Sequence, residues 1–495
     1  MNVARSIPCF RRICWNASTY MRFGSTRVPQ RNLDTLLTSW TKHSIPACLL
    51  SQTYCFTNPY VSVGARSINV ATVRKSKMQK YHKTSPNPGP IEPLPEIAAL
   101  SDGTKISIDY LKETDLIHVY SMFKGAADAG DGYAHEEFSD IEVFKKMVSR
   151  DHYFSMVDVT NGVIIGVFSV HSTRLTRSSK AVFAAGNAVI DHRYRNKNCH
   201  FVMTLLHAKF SHFLGYQGLL FETFETNKAI LRNAEKVDAK LIGYIPNSAY
   251  FPSHGWVNSI MMYSAFGNKS HPDDSKYALS MDQIEQMGLN KTLAPRGCLE
   301  PWTNTISSLP RRFTVKDGRE FTARYVDKTE YFEVFNMIKD AADNGVGFGI
   351  DEFPTFEYFM DSMSRGHIFC ITENTSNDIV GMFTCIPSKY SRTQMSQFAA
   401  GPSIMKHGYR GIGIYGNIRD MSEDLAKELG YQGILGDMLE INQPIIDSYE
   451  RYGYKLVAKI PRSSFVKGKG WVAAVAFYKP FSSDGKHDTR PTSKL

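Results

Sequence analysis

Apolar residues in the second half of the chain follow two patterns: short extended runs typical of strands, and longer stretches with helical spacing. In the stretch that begins at Ile414, apolar residues recur at Ile418, Met421 and Leu425, and Gly430 is placed to end the helix. The other stretches with helical periodicity lie at 328–343 and 355–365. The runs that predict strands lie at 312–326 (two strands around an Asp-Gly turn), 367–373, 378–386, 396–405, 433–441, 454–460 and 470–478.

The residues after the strand at 433–441 predict one more, shorter helix. Asn442 is of the type that caps a helix N-terminus, and Pro444 is tolerated at an early helical position. The resulting order, β-α-α-β-β-β-α-β-α-β-β, predicts the α/β class, with a mixed sheet.

The same pattern occurs earlier in the chain, so the body is an internal duplication. A shift of 215 residues aligns the two copies without a gap, from the turn at Asp102-Gly103 to Phe266. Shared segments include FAAG at 183 and 398 and GYQG at 215 and 430. A period of this length predicts two globular domains in tandem and excludes a solenoid of short repeats.

Composition divides the rest of the chain around these copies. We expect a disordered basic segment at 1–90, a first domain at 98–266, a linker with one short helix at 267–311, a second domain at 312–482 and a tail at 483–495. The first and second domains are called the first and second copy below.

The positive charge is concentrated in the N-terminal segment. Residues 1–90 contain 13 Lys and Arg and one acidic residue, Asp34, whereas the whole chain has a net charge of +10. The folded body is therefore close to neutral, which argues against a nucleic-acid partner. The chain also contains no apolar run long enough to predict a membrane span.

Both ends of the sequence resemble targeting signals. The segment 1–90 is rich in Arg, Ser and Thr, which is typical of a mitochondrial transit peptide; the alternative is a disordered basic tail. The chain ends in Ser493-Lys494-Leu495, which matches a peroxisomal address. A start at Met78 would omit most of the basic residues. We therefore expect a location in the peroxisomal matrix, in the mitochondrion or in both.

The eight cysteines predict neither a disulfide framework nor a metal site. Four of them lie within the N-terminal segment, and the others are scattered without a C-x-x-C pair or histidines at metal-ligand spacing. We expect a reducing compartment and no metal.

The clearest candidate for ligand binding is the stretch HGYRGIGIYG at 407–416. Here a glycine-rich turn joins a strand to a helix N-terminus, where unpaired backbone N–H groups can face an anion. The spacing differs from that of a nucleotide P-loop and from the dinucleotide fingerprint. Taken alone, the stretch is equally consistent with a simple turn.

The element order and two motifs together resemble the GNAT superfamily of acetyl-CoA-dependent N-acetyltransferases. The family's acyl-CoA motif, Arg/Gln-x-x-Gly-x-Gly/Ala, is approximated at 410–415, although Tyr415 stands where Gly or Ala is usual and Gly416 follows one place late. Further on, Asn442, Tyr449 and the pair Gly453-Tyr454 match a second family pattern. The resemblance covers both copies and implies two tandem GNAT-like acyl-CoA N-acyltransferase domains.

The resemblance also implies roles for individual residues. The CoA pyrophosphate would be bound by the loop residues, with the helix dipole assisting: Arg410, Gly411, Gly413, Ile414, Tyr415 and Gly416. Asn442 would face the pantetheine arm or the acceptor. Tyr449 would be the general acid for the departing thiolate; the alternative is core packing with Tyr452 and Tyr454.

The resemblance further implies direct transfer to a deprotonated amine, so a base is needed. Asp437 and Glu440 are candidates, as is Glu352; each is also consistent with a solvated or ion-paired acid. The glycine loop at 345–349 lies where the family admits the acceptor. Asp343, Asp351 and Glu352 around it would suit a cationic amine, and a flexible loop with surface acids is the alternative.

The first copy departs from the family pattern. Its stretch HRYRNKNCHF at 192–201 keeps Arg195 but carries Asn198 and His200 in the part that is glycine-rich in the second copy. Ala234 stands where Tyr449 is, and only Asn227 matches Asn442. We interpret the first copy as a degenerate GNAT-like domain kept as a scaffold, a partner surface or part of the acceptor pocket, and residual CoA binding there stays open.

The sequence therefore predicts an N-acyltransferase that uses acetyl-CoA or another acyl-CoA as co-substrate. The acceptor would be a small-molecule amine or a protein lysine, and the oligomeric state is open. Two alternatives are a non-catalytic acyl-CoA sensor and a structural protein without CoA.

Overall fold

The computed structural model describes residues 85–86, 91–92, 94–180, 182–252, 255–266, 274–286, 300–392 and 396–481. The predictions for 1–84 and 483–495, including both targeting signals and a start at Met78, lie outside these residues. Within them, no helix is long and apolar enough to cross a membrane.

The first copy contains nine strands and four helices among its described residues. The strands are β1 (Glu96–Ala99), β2 (Lys105–Tyr110), β3 (His152–Asp158), β4 (Ile164–Ser172), β5 (Phe183–Ala185), β6 (Ala188–Ile190), β7 (Gly218–Phe224), β8 (Lys240–Phe251) and β9 (Gly255–Ala265). The helices are α1 (Leu116–Asp128), α2 (Ile141–Arg150), α3 (Cys199–Phe213) and α4 (Lys228–Lys236). A short helix, α5 (Met281–Gln286), lies in the predicted linker.

The second copy repeats this arrangement among its described residues. Its strands are β10 (Arg311–Thr314), β11 (Glu320–Tyr325), β12 (His367–Glu373), β13 (Ile379–Pro387), β14 (Phe398–Ala400), β15 (Ser403–Met405), β16 (Gly433–Leu439), β17 (Lys455–Val466) and β18 (Gly470–Pro480). Its helices are α6 (Tyr331–Asp343), α7 (Phe356–Met363), α8 (Ile414–Leu429) and α9 (Gln443–Arg451).

The duplication predicted from the sequence is confirmed at the level of single residues. For example, β7 and β16 begin and end at positions 215 apart, and so do β9 and β18. The predicted mixed α/β fold is likewise confirmed. One detail was wrong: the run at 396–405 forms two strands, because Gly401 and Pro402 interrupt it and proline has no N–H for the ladder.

Each copy is a mixed sheet covered by helices on both faces. Most neighbouring strands are antiparallel, whereas β5 with β7 and β14 with β16 are parallel. In the second copy, α8 and α9 pack in one apolar cluster with residues of β12, β13 and β18, and α6 and α7 pack in another. The helix that follows the glycine-rich loop therefore shares a face with α9, which carries Tyr449.

The sheet continues from one copy into the other. Strand β8 of the first copy pairs with β17 of the second, with Gly243 opposite Ala458. A Cβ atom at Gly243 would lie 2.5 Å from the Cβ of Ala458, so only glycine permits this approach. Apolar residues of both copies form one buried cluster here, including Ile242 and Val457. The two copies thus form one packed body.

Candidate functional site

The glycine-rich loop of the second copy passes through the left-handed region of backbone conformation. Gly411 and Gly413 have φ angles of 80° and 100°, and Gly413 is the N-cap of α8. A Cβ at either position would meet no atom within 4 Å, so glycine is needed for the conformation and not for space. The first N–H groups of α8 thus follow an open loop, as anion binding requires.

The corresponding loop of the first copy has the same conformation without glycine. Asn196 and Asn198 lie opposite Gly411 and Gly413 and have φ angles of 64° and 66°. Asparagine adopts this left-handed region more readily than most residues. The first copy has therefore kept the backbone path and has changed its side chains.

The charged residues beside the loop also differ between the copies. Arg410 donates from Nε to the carbonyl of Met405 at 3.0 Å, whereas Arg195 pairs with Asp131 at 2.6 Å. Val346 replaces Asp131 in the second copy. A cavity of about 290 Å³ adjoins Arg410 and is lined by Glu333, Asn336, Met337, Asp340, Met405, Lys406 and Arg410. The arginine of the second copy thus faces a cavity where that of the first faces an aspartate.

Tyr415, the residue that departs from the family pattern, contacts the candidate acid. The hydroxyls of Tyr415 and Tyr449 lie close enough to shift each other's pKa, and Ser403 on β15 lies beside Tyr415. Burial and the adjacent Tyr415 raise the pKa of Tyr449 well above its usual value. Tyr449 therefore stays protonated at neutral pH, as a proton donor must.

A buried polar cluster lies beneath this tyrosine pair. Glu423 accepts hydrogen bonds from Tyr454 at 2.8 Å and from Lys479 at 3.0 Å. The ring of Tyr454 packs against that of Tyr449, with centroids 4.3 Å apart. Arg419, also buried, donates to Ser448 at 2.9 Å and lies over the ring of Tyr452. Buried charges are costly unless paired, and here each has a partner.

The first copy lacks this cluster as a whole. The positions of Tyr415, Arg419, Glu423, Tyr449, Tyr454 and Lys479 are occupied there by His200, Thr204, Ala208, Ala234, Ala239 and Ser264. The sequence comparison finds the differences at His200 and Ala234, and it misses the buried charges Arg419, Glu423 and Lys479. Buried charges on an otherwise apolar helix face were the signal that could have revealed them.

The parallel strands β14 and β16 separate close to these tyrosines. They are paired at Phe398 and Ala399, and β15, which continues β14, pairs with β13 instead. At the equivalent place in the first copy, the Tyr133 hydroxyl accepts from the Ala188 N–H at 2.7 Å and donates to the Ala188 carbonyl at 2.8 Å. Phe348 replaces Tyr133 in the second copy and has no hydroxyl, so this contact at Ser403 is lost.

Asp437, a candidate base, is held by cations. Its carboxylate lies 2.9 Å from Lys389 Nζ and 3.6 Å from Arg177 Nη1, and it accepts from the Tyr390 hydroxyl at 2.7 Å. Burial raises the pKa of Asp437, but Lys389 and Arg177 outweigh it and hold this pKa below its usual value. Such a carboxylate is a weak base. The residues that contact Asp437, which are Lys389, Arg177 and Tyr390, differ from Tyr415 and Tyr454, which lie against Tyr449.

The other predicted acids lie in two environments. Glu352 is buried, pairs with Arg177 at 2.8 Å and accepts from Ser464 at 2.9 Å. Asp351 is also buried and bonds to Ser178, whereas Asp343 is exposed. Glu440 accepts from the Tyr277 hydroxyl at 3.2 Å. Two of these acids thus contact the first copy, which the sequence did not reveal.

Asn442 occupies the N-cap position of α9, but its side chain makes no capping hydrogen bond, so the predicted cap was wrong in this respect. Asn227 in the first copy does cap, because it accepts from the N–H of Ile230 at 3.3 Å. A Cβ at Gly347 would lie 3.7 Å from Asn442 Nδ2. Asn442 therefore lies beside the glycine loop that follows α6.

Comparisons with known proteins give matches among solved structures and not among family models or curated proteins. No protein-family model matches the chain, and a search of curated proteins finds no match. Among the described residues, no group of three or more His, Cys, Asp or Glu is arranged to hold a metal ion.

Several solved acetyltransferase structures are similar to this chain. A GNAT superfamily phosphinothricin acetyltransferase from Sinorhizobium meliloti, in complex with AcCoA, is 13% identical with a TM-score of 0.30, over 34% of this chain and 97% of that one. A spermidine N-acetyltransferase from Vibrio cholerae, in complex with CoA and spermine, is 12% identical with a TM-score of 0.28, over 32% and 95%. A GCN5-related N-acetyltransferase from Kribbella flavida is 14% identical with a TM-score of 0.29, over 32% and 98%.

The chain matches solved structures with the GNAT acetyltransferase fold over about a third of its length.

Proposed function

We propose that the second copy binds an acyl-CoA, with acetyl-CoA as the expected form, and transfers the acyl group directly to an amine. The observation that carries this proposal is the Tyr415–Tyr449 hydroxyl pair above the buried Glu423–Lys479 pair, found in the second copy and replaced in the first. The two copies share a backbone, so the fold does not need these groups. Their presence in one copy supports a chemical role.

The loop at 410–416 supports binding of the pyrophosphate of CoA. Gly411 and Gly413 keep side chains away from the N-terminus of α8, whose N–H groups and dipole favour an anion. At the adjoining cavity Arg410 adds positive charge beside the loop, whereas Lys406 is paired with Glu333 at 3.2 Å and Asp340 also lines the cavity.

The separation of β14 and β16 offers a place for the amide-containing arm of the same ligand. Strand edges that part leave backbone polar groups for a ligand to pair with. In the first copy Tyr133 occupies those groups on Ala188, and Phe348 cannot do so on Ser403. We therefore expect one acyl-CoA per chain.

Tyr449 is the proton donor in this proposal. An amine that attacks a thioester forms an amide and releases a thiolate, which must gain a proton. Tyr449 has a raised pKa, and its ring packs against that of Tyr454, so it is protonated and held in place before the reaction. The acceptor is a small-molecule amine or a protein lysine.

The proton of the amine needs an acceptor group, directly or through water. Glu440 is the better candidate, because its described partner is the Tyr277 hydroxyl, whereas Asp437 is held by two cations and Glu352 by Arg177. Glu440→Gln should shift the acidic limb of the pH–rate profile, whereas a merely structural residue would leave it in place.

The test uses the full-length protein, acetyl-CoA and a panel of amines that includes a diamine, an amino acid and a lysine peptide, with CoA release as the readout. We expect Tyr449→Phe to lower turnover by about 10²–10⁴-fold, because it removes a general acid. Acetyl-CoA should still raise the thermal midpoint of this variant, since a ligand of the native state stabilises it.

Three other outcomes would change the conclusion. Unchanged turnover in Tyr449→Phe would remove Tyr449 from the mechanism. A thermal shift without CoA release from any amine would favour a non-catalytic acyl-CoA sensor. No shift with acetyl-CoA or longer acyl-CoAs would favour a structural protein.

A further inference from the structure

The loop between β4 and β5 of the first copy reaches into the second copy through Arg177. The guanidinium lies 2.8 Å from Glu352 Oε2 and 3.6 Å from Asp437 Oδ1, and it donates to the backbone carbonyl of Asp437 at 3.0 Å. Its side chain is only 11% exposed and lies against the ring of Phe348. An arginine of one copy is thus buried among acids of the other.

The backbone of this loop fixes the arginine in place. The N–H of Arg177 donates to the carbonyl of Ser463 at 2.9 Å and to its hydroxyl at 3.0 Å. The N–H of Ser178 also reaches the Ser463 carbonyl, at 2.8 Å, and that of Ser179 reaches the carbonyl of Asp351 at 2.9 Å. The loop is therefore docked by main-chain bonds as well as by charge.

The second copy makes the equivalent contact with the first. Arg392, which is 215 residues after Arg177, lies 3.1 Å from Glu137 and 4.0 Å from Glu222, and its N–H donates to the Ser248 carbonyl at 3.0 Å. These three partners are the counterparts of Glu352, Asp437 and Ser463. Each copy thus gives an arginine to the other in a pseudo-twofold exchange.

In the second copy, Arg177 joins the two segments that flank the predicted acceptor side. Glu352 accepts from the N–H of Gly349 at 2.8 Å, so its carboxylate links the glycine loop after α6 to Arg177. The other end of the guanidinium holds Asp437 on β16, the strand that leads to Asn442. Arg177 thus bridges the loop and β16, whereas the loop's own hydrogen bonds within the second copy go to β17, from the Ile350 N–H to the Phe465 carbonyl at 3.0 Å and from the Ser464 hydroxyl to Glu352.

We propose that the site of the second copy is composite: the first copy completes it through Arg177, which positions the 344–353 loop against β16. This inference rests on the proposed function, because it assigns the acceptor side of that same site. Arg177 is a positioning residue and takes no part in proton transfer. The first copy, without the tyrosine pair, is then a required part of the active unit.

The experiment compares Arg177→Gln with Arg392→Gln in the full-length protein. Each variant removes one of the two reciprocal arginine contacts, so general effects on the docking of the two copies are matched. Only Arg177 faces the proposed site. The first readout is amide hydrogen–deuterium exchange of peptides that cover 344–353 and 433–439, and of the equivalent peptides at 129–138 and 218–224.

We expect Arg177→Gln to speed exchange in 344–353 and 433–439 and Arg392→Gln to speed exchange in the equivalent peptides. With the most active amine of the panel, Arg177→Gln should raise the KM for the amine by about tenfold, because the loop that it positions borders the acceptor side, and change the KM for acetyl-CoA little. Arg392→Gln should leave both values unchanged.

The two failures are distinguishable. If the wild type shows no acyl transfer, the proposed function fails, and the exchange data alone decide whether Arg177 holds the loop. If the wild type is active and Arg177→Gln matches Arg392→Gln in kinetics and in the exchange of 344–353, the composite site is wrong.

Discussion

The two copies have nearly superposable element boundaries and different interiors. The helix after the loop is α3 in one copy and α8 in the other, and the strands around it begin and end 215 residues apart. The interior of the second copy contains Arg419, Glu423 and Lys479, where the first has Thr204, Ala208 and Ser264. The same backbone is therefore built with and without charged residues at these three positions.

This difference distinguishes the residues that the fold requires from those that it only accommodates. Buried ion pairs add little net stability compared with apolar residues of similar size. The first copy shows that small residues suffice at these positions. The charged cluster of the second copy is thus better explained by the tyrosines that it supports than by stability.

The largest effect that would sharpen this comparison is expected from Glu423→Ala. It leaves Lys479 charged and buried without its partner, which should lower the free energy of unfolding by about 3–5 kcal/mol. Adding Lys479→Ser, which completes the pair of first-copy residues, should recover part of that loss. Denaturant titration measures both variants together with Lys479→Ser alone, and a loss in the double variant equal to the sum of the two single losses would show that the two groups are not coupled.

An effect of up to comparable size, but smaller for each residue, is expected from acid, and it should act on the first copy. Burial lowers the pKa of His200 and of His207 to about 4, whereas a histidine of the unfolded chain titrates near 6.5. Between these values the unfolded state binds protons that the folded state does not, so stability falls as the pH falls from about 6.5 to 4. The loss at pH 5 should be about 2 kcal/mol per histidine.

The second copy has Tyr415 and Ser422 at these two positions, so it offers a matched control. Hydrogen–deuterium exchange at pH 7 and pH 5, corrected for the intrinsic rates, should show loss of protection in α3 and little change in α8. His207→Ser should reduce the pH dependence of α3. Equal loss of protection in both helices would contradict the assignment to these histidines.

The smallest effect is expected from exchanging residues of the loop. Gly413→Asn imposes a side chain on a φ of 100°, wider than the 66° of Asn198, at a cost of about 1 kcal/mol. The KM for acetyl-CoA should rise about fivefold, and turnover at saturation should change less. The matched variant Asn198→Gly should leave that KM unchanged, and equal values for the two variants would argue against the loop as the CoA site.

Sequence periodicity was sufficient for much of this fold. The strand predicted at 367–373 and the helix from Ile414 to Gly430 agree with β12 and α8, because short-range apolar spacing determines such elements. The glycine-rich turn before α8 was also located from the sequence, but the left-handed φ angles of Gly411 and Gly413 were not, because glycine can adopt many backbone conformations.

The contacts between distant residues could not be predicted in the same way. The distance between Tyr415 and Tyr449, or between Arg177 and Glu352, depends on how whole elements dock, and no local pattern encodes it. The duplication did hold a usable signal. Arg177 and Arg392, with the acids that they contact, are retained in both copies at the shift of 215.

The reciprocal contacts have a consequence for how the chain could be divided. Asn247 of the first copy donates to the Tyr478 hydroxyl of the second at 3.3 Å, and Arg462 of the second copy donates to the Tyr263 hydroxyl of the first at 2.7 Å. These two hydrogen bonds are reciprocal, as are the contacts of Arg177 and Arg392. The halves are interlocked by the sheet, the core and two sets of swapped side chains. Two separate polypeptides, split after α5, should therefore find each other and assemble as a heterodimer, in which each fragment serves as the folding template of the other.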